Sequence, residues 1–273
     1  MKPRLDLPAG VEVKQINLDV DGDQPRRPLI MLNGIGAGTE NWGHILEALD
    51  RPCVAIDVSR AESCNDRPGM GDYSGALIET VDSLGIDQFD LLGLSWGGAL
   101  AQEVAIRDEQ RIGKLDGQRI GRLVLVATVP GRFSVPPTIR AITALNSSDR
   151  TSEAFIRVAG SVYGGDIRRH PELLESCGIM RAVDPDSYKR QKRAILSWNS
   201  SILRLMKIQN PTLVMAGADD PIARPINSYM IARAIRRSKL HIVPGFMGGG
   251  HLLLHTRPQE SAATINRFLD KAA

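Results

Sequence analysis

Cysteine is scarce in this 273-residue chain: Cys53, Cys64 and Cys177 are too few for a disulfide scaffold, and no two form a C-x-x-C pair. That excludes a secreted disulfide fold and suits a reducing, cytoplasmic compartment. Aromatic residues make up only 4% of the chain, so any large apolar pocket must be lined by Leu, Ile, Val, Met and Ala. Long apolar runs are lacking as well. No window approaches the roughly 20 apolar residues of a spanning helix, and the opening Met-Lys-Pro-Arg-Leu-Asp-Leu-Pro lacks the apolar core of a secretory signal. Nor is there an excess of one charge. Thirty-four basic against 31 acidic residues give +3, with no run of four or more Lys/Arg, so nucleic acid is not an expected partner. No H-E-x-x-H, P-loop or Cys/His cluster appears, so neither a metal nor a cofactor is expected.

What is present has ordinary globular proportions, 42% hydrophobic and 24% charged. Apolar runs at 29–32, 53–58, 89–94, 123–127, 212–216 and 239–243 alternate with amphipathic stretches at 42–49, 74–84, 96–107, 225–235 and 259–269. That alternation predicts a doubly wound α/β fold, a mostly parallel sheet with helices on both faces. Residues 11–20 alternate and read as an antiparallel hairpin at the sheet edge, turned by Asp21-Gly22-Asp23. The 79 residues 132–210 contain no convincing strand but have helical stretches near 136–145, 152–159, 171–177 and 187–206. Such a length is too great for a plain connection, so residues 1–131 and 211–273 are expected to form the sheet domain and 132–210 an inserted helical cap. The cap has 13 basic and 7 acidic residues and the remainder 21 and 24, so the modest net charge conceals a basic cap over an acidic body. Arg-Ile-Gly-Lys-Leu at 111–115 is nearly repeated by Arg-Ile-Gly-Arg-Leu at 119–123, which reads as a surface insertion.

Chemistry is concentrated in Gly93-Leu94-Ser95-Trp96-Gly97-Gly98, a G-x-S-x-G between an apolar strand and an apolar helix. A nucleophile elbow needs small residues on both sides of a strained serine, which it presents at the carboxyl edge of the sheet. The bland alternative is an N-cap serine before a small-residue helix. A serine nucleophile requires a base and a group to orient it, in the chain order Ser, acid, His. Of five histidines, His251 follows the last strand after Gly248-Gly249-Gly250 and is the best base; His255, one helical turn on, is the alternative. The loop after 212–216 supplies Asp219-Asp220-Pro221, of which Asp220 is favoured because the proline fixes its turn; the other carboxylate is expected to be a solvated turn residue. Oxyanion donors are expected at the Trp96 amide and, from Leu32-Asn33-Gly34-Ile35-Gly36-Ala37-Gly38, at the Ile35 amide. Gly34-x-Gly36 with Asp57 further on also suggests a dinucleotide turn, but the third glycine is missing, since position 39 is Thr.

These residues resemble the α/β-hydrolases and, more narrowly, the intracellular depolymerases of medium-chain-length polyhydroxyalkanoates. The likeness is carried by Leu32-Asn33-Gly34-Ile35-Gly36-Ala37, by 94–102 around the serine, by Tyr163-Gly164-Gly165 through Arg168-Arg169 to Pro171-Glu172-Leu173, and by 207–221. It implies an α/β-hydrolase fold with Ser95, Asp220 and His251 as a triad cleaving ester bonds between 3-hydroxyacyl units. Asn33, Tyr163 and Trp198 are expected to bind substrate, the two aromatics from the cap roof, with plain packing an equal alternative for those two. The chain departs from the usual pattern after Asp57, where Val58-Ser59-Arg60 replaces Pro-Gly-x-Gly at what is expected to be the site mouth, and at Arg224, where Pro is usual. The reading is a serine carboxylester hydrolase. A small-molecule esterase or lactonase, a carbon–carbon bond hydrolase and cofactor-free perhydrolysis are alternatives of the same fold, and a non-catalytic ligand-binding relative is an alternative of another class. Expected partners are an acyl ester or polyester substrate and, at most, further copies of the chain in a homo-oligomer; the basic cap would meet acidic products or a granule surface first.

Overall fold

In the computed structural model, the apolar runs become strands of one seven-stranded sheet: β1 (Glu12–Ile16), β2 (Leu29–Leu32), β3 (Cys53–Asp57), β4 (Phe89–Leu94), β5 (Ile120–Val126), β6 (Thr212–Gly217) and β7 (Ser238–Val243). The structure describes residues 7–16, 26–111, 118–145, 153–177, 184–199 and 202–271. The strand order is β1-β3-β2-β4-β5-β6-β7, parallel throughout except for β1, which runs antiparallel to β3. Every residue of β2, β4 and β6 is buried, as expected for strands covered on both faces.

Helices α1 (His44–Ala48), α2 (Met70–Ser83), α3 (Trp96–Arg111), α10 (Pro225–Ala234), α11 (Leu253–Thr256) and α12 (Pro258–Leu269) flank the sheet. Leu77 and Val81 of α2, Leu100 and Val104 of α3 and Ile231 of α10 pack on one face. Trp42, Ile45, Ile265 and Phe268 pack on the other. Among the described residues between β5 and β6 lie six helices: α4 (Ile139–Leu145), α5 (Glu153–Tyr163), α6 (Gly165–Arg169), α7 (Leu173–Ser176), α8 (Pro185–Ser197) and α9 (Ile202–Leu205). Phe155, Val162, Tyr163, Ile167 and Leu174 form a third apolar cluster there, which Leu252 joins from the far end of the chain.

The edge strand takes the expected antiparallel course, while other local expectations change. The edge strand β1 pairs antiparallel with β3, Glu12 opposite Asp57 and Ile16 opposite Cys53; the remainder of the expected hairpin, residues 17–20 and the turn at 21–23, lies outside the described residues. A single helix over 187–206 is divided, because Trp198 adopts an extended backbone (φ −68°, ψ 116°) and ends α8. Helix α6 was not anticipated: its Gly-Asp-Ile-Arg-Arg sequence carries no clear apolar period. The near-repeat runs from the last residue of α3, Arg111, into β5, whose Ile120 and Leu123 are buried, so its second copy is not a surface insertion; residues 112–117 lie outside the described residues. Among the described residues no helix is long and apolar enough to cross a membrane.

Candidate active site

The serine at the end of β4 is held in a conformation that few side chains tolerate. Ser95 has φ +55°, the left-handed region, and its amide donates to the Val126 carbonyl at 2.8 Å, so the turn is braced against β5. The glycines around it are required by close packing. A Cβ on Gly97 would lie 2.1 Å from the Leu32 carbonyl oxygen, and one on Gly93 would lie 2.3 Å from that of Gly97. Thr128, at the end of the next strand, donates from its hydroxyl to the Ser95 carbonyl at 2.7 Å. No motif in the sequence marks Thr128 for this brace.

Ser95, His251 and Asp220 come together from 156 and 31 residues apart. His251 Nε2 lies 3.0 Å from Ser95 Oγ, and His251 Nδ1 lies 2.8 Å from Asp220 Oδ2. The other carboxylate oxygen, Oδ1, accepts from the amides of Ile222 (2.8 Å) and Ala223 (2.9 Å), so Asp220 has no rotational freedom left. Both side chains are buried, Asp220 fully. His255, the alternative base, points elsewhere. It stacks on Trp42 with ring centroids 6.3 Å apart, its Nε2 lies 3.0 Å from the Asn41 carbonyl, and burial pushes its pKa down to about 4. Asp219 is also not the triad acid, but neither is it the solvated turn residue expected of it. It accepts two bonds from the Arg168 guanidinium, at 2.8 and 2.9 Å, and one from the Gly165 amide at 2.9 Å. Burial works to raise its pKa, but the Arg168 and Gly165 bonds prevail and hold the carboxyl below its ordinary value.

A cavity of about 490 Å³ opens above Ser95, lined by the Ile35 and Trp96 segments and by apolar side chains of the β5 loop and of α4 and α8. The Ile35 and Trp96 amides face no protein acceptor among the described residues. Of the residues expected to bind substrate, none lines this cavity. Asn33 braces its own loop, accepting from the Gly34 amide at 2.8 Å and donating to the Gly38 carbonyl at 3.1 Å, because a short amide is the natural partner for such a turn. Trp198 is buried beside α3 with its indole donating to Glu103 Oε2 at 3.0 Å, where Arg204 also binds, so it anchors the helical segment instead of roofing the pocket. Tyr163 stacks on the His251 ring at 6.5 Å and its carbonyl accepts the His251 amide at 2.7 Å, so it supports the histidine from behind. The segment after Asp57 also differs from expectation. It does not border the cavity; the Ser59 carbonyl receives Ser187 Oγ and Arg190 Nη2, each at 3.4 Å, at the foot of α8.

Two further features had no sequence signal. Gln191 of α8 reaches the loop after β2, its Oε1 accepting from the Gly36 amide at 2.8 Å and its carbonyl from the Trp96 indole at 3.0 Å. Asp166 is buried and receives Arg257 at 2.6 and 3.1 Å and Arg169 at 2.7 Å. Chiefly through the Arg257 bond, its carboxyl is held below the usual range. Both contacts join residues far apart in the chain, and nothing in local composition announces them. Among the described residues no cluster of His, Cys, Asp and Glu suited to a metal ion is present.

The model of the alpha/beta hydrolase family matches residues 29–264. A poly(3-hydroxyalkanoate) depolymerase of Ectopseudomonas oleovorans is 35% identical over 255 residues, covering 89% of this chain and 84% of that protein. A 2-hydroxymuconate semialdehyde hydrolase of Pseudomonas sp. (strain CF600) is 24% identical, covering 90% and 87%. Among solved structures, the enol-lactonase from Burkholderia xenovorans LB400 superimposes with a TM-score of 0.75 at 19% identity over 96% of both chains, a likeness of fold.

Proposed function

The chain belongs to the alpha/beta hydrolase family, and from that premise we propose that it is a serine carboxylester hydrolase whose substrate is an aliphatic ester or polyester of 3-hydroxyacyl units. The observation that carries the reading is the unbroken chain from Asp220 through His251 to Ser95, at 2.8 and 3.0 Å, opening into an apolar cavity. In this reading His251 Nε2 takes the Ser95 proton as Oγ attacks the acyl carbonyl. The Ile35 and Trp96 amides hold the tetrahedral oxyanion, and His251 returns the proton to the departing alkoxide. Water, deprotonated by the same nitrogen, then releases the acid. Asp220 keeps the Nδ1 proton in place and stabilises the imidazolium. Residues 132–210 act as a cap that supplies one wall of the acyl pocket, and three free cysteines suit a cytoplasmic setting.

The apolar lining, with Ile142, Leu145, Ile195 and Ile222, favours aliphatic acyl chains over short polar ones. The relationship to the depolymerase extends that preference to a polymer. The deciding measurement is turnover of 4-nitrophenyl octanoate and of polymer granules by the wild type and by Ser95→Ala. Loss of both activities to background, together with loss of labelling by a fluorophosphonate, is expected. Retained hydrolysis by Ser95→Ala overturns the mechanism, and turnover of carbon–carbon bond substrates without ester hydrolysis overturns the substrate class.

A further inference from the structure

Both residues that would supply oxyanion donors are gripped by one residue of the helical segment, and neither grip uses the donor amide itself. Gly34, Ile35, Gly36 and Ala37 form a turn closed by the Ala37 amide on the Gly34 carbonyl at 3.2 Å, with Gly36 at φ +72°. In such a turn the central peptide, here between Ile35 and Gly36, is the soft part: it can rotate at little cost, because glycine at the third position accepts more than one backbone conformation. Gln191 Oε1 takes the N–H of that peptide at 2.8 Å. The Gln191 backbone carbonyl meanwhile receives the Trp96 indole at 3.0 Å, which fixes the side chain of the residue whose amide is the second donor. Gln191 is itself 2% exposed, so its carboxamide has no freedom to wander.

The position of Gln191 on its helix adds to this. Tyr188, Lys192 and Ile195 of α8 line the acyl cavity, and Gln191 lies on the same face, three residues after the first of them and four before the last. One helix face therefore meets both the acyl chain and the oxyanion loop. Building on the serine hydrolase reading, we propose that Gln191 is a positioning residue of the oxyanion hole: its side-chain oxygen anchors the turn at the Gly36 N–H and so holds in place above Ser95 the adjoining Gly34–Ile35 peptide, which carries the Ile35 amide. The polar group acts through another residue and does not touch substrate. Only an acceptor at this reach performs the role, so glutamate substitutes for glutamine and an apolar isostere does not.

The test is a comparison of Gln191→Met, Gln191→Ala and Gln191→Glu on 4-nitrophenyl octanoate. For Met and Ala, kcat and kcat/KM are expected to fall together, ~10- to 100-fold, less than complete loss of an oxyanion donor. The affinity of an octyl trifluoromethyl ketone, which forms a tetrahedral adduct with serine, should fall by the same factor, while affinity for octanoate stays within about twofold. Gln191→Glu should recover most of the rate. Wild-type kcat in a soluble Met or Ala variant overturns the proposal. So does an equal loss in all three variants, and so does failure of both Met and Ala to fold, since either assigns Gln191 to packing alone. Active Ser95→Ala would overturn the underlying mechanism, whereas a dead Ser95→Ala beside an unaffected Gln191→Met rejects only the role of Gln191.

Discussion

Asp220 shows how much of the chemistry depends on single atoms. Two backbone amides occupy Oδ1, which leaves Oδ2 alone to face His251 Nδ1. In Asp220→Asn an NH₂ group must take one of these places. If it faces His251, the ring must carry its proton on Nε2, where the nitrogen can no longer accept the Ser95 proton. The expected result is a fall in kcat for 4-nitrophenyl octanoate of about 10³- to 10⁴-fold with little change in melting temperature, measured by steady-state kinetics and thermal denaturation. The positions of Ser95, His251 and Asp220 were legible in the sequence because each stands in a loop after a strand and in a fixed order, and the fold brings the three side chains together. The side-chain directions of Asn33 and Trp198 were not legible in the same way. A residue type near a motif says nothing of which way its side chain turns, and both are held by partners, Gly38 and Glu103, that only the folded chain brings close.

Helix α6 and the loop before α11 make a seam on which His251 depends. Gly164 and Gly165 have φ of +64° and +53°, and a Cβ on Gly165 would lie 2.3 Å from the Gly250 amide nitrogen. Two ion pairs flank this contact and differ in kind. Asp166 is 4% exposed and binds two arginines, whereas Arg168 and Asp219 are 49% and 37% exposed. Asp166→Ala is expected to destabilise the fold by about 1–3 kcal/mol, since it strands two guanidinium groups and loses charged hydrogen bonds. Arg168→Ala should cost less than about 1 kcal/mol, solvent screening most of its pair. Urea denaturation of the two variants compares them directly. The strands and flanking helices were legible from apolar runs and their alternation. Helix α6 was not, because its stability comes from Asp166, Arg257 and the glycine seam and not from an apolar face of its own.

At the scale of the whole molecule, stability should depend on pH through a residue that takes no part in the mechanism. His255 is buried against Trp42 and its pKa is lowered from 6.5 to about 4. The unfolded chain therefore binds a proton that the folded chain refuses between these values. The stability His255 contributes is complete above pH ~6.5 and is lost as the pH falls towards ~4, by at most about 3 kcal/mol. Urea denaturation at pH 7 and pH 4.5 should show the loss, and His255→Phe should lessen it. The 35% identical depolymerase and the family model both cover the helical segment as well as the sheet, and the segment does more than cover the pocket. The seam between Gly164-Gly165 and Gly248-Gly249-Gly250 has a practical consequence for anyone recombining such enzymes. A helical segment transplanted from a relative will fit only if the His251 loop through Arg257 travels with it, so the two are inherited as one block.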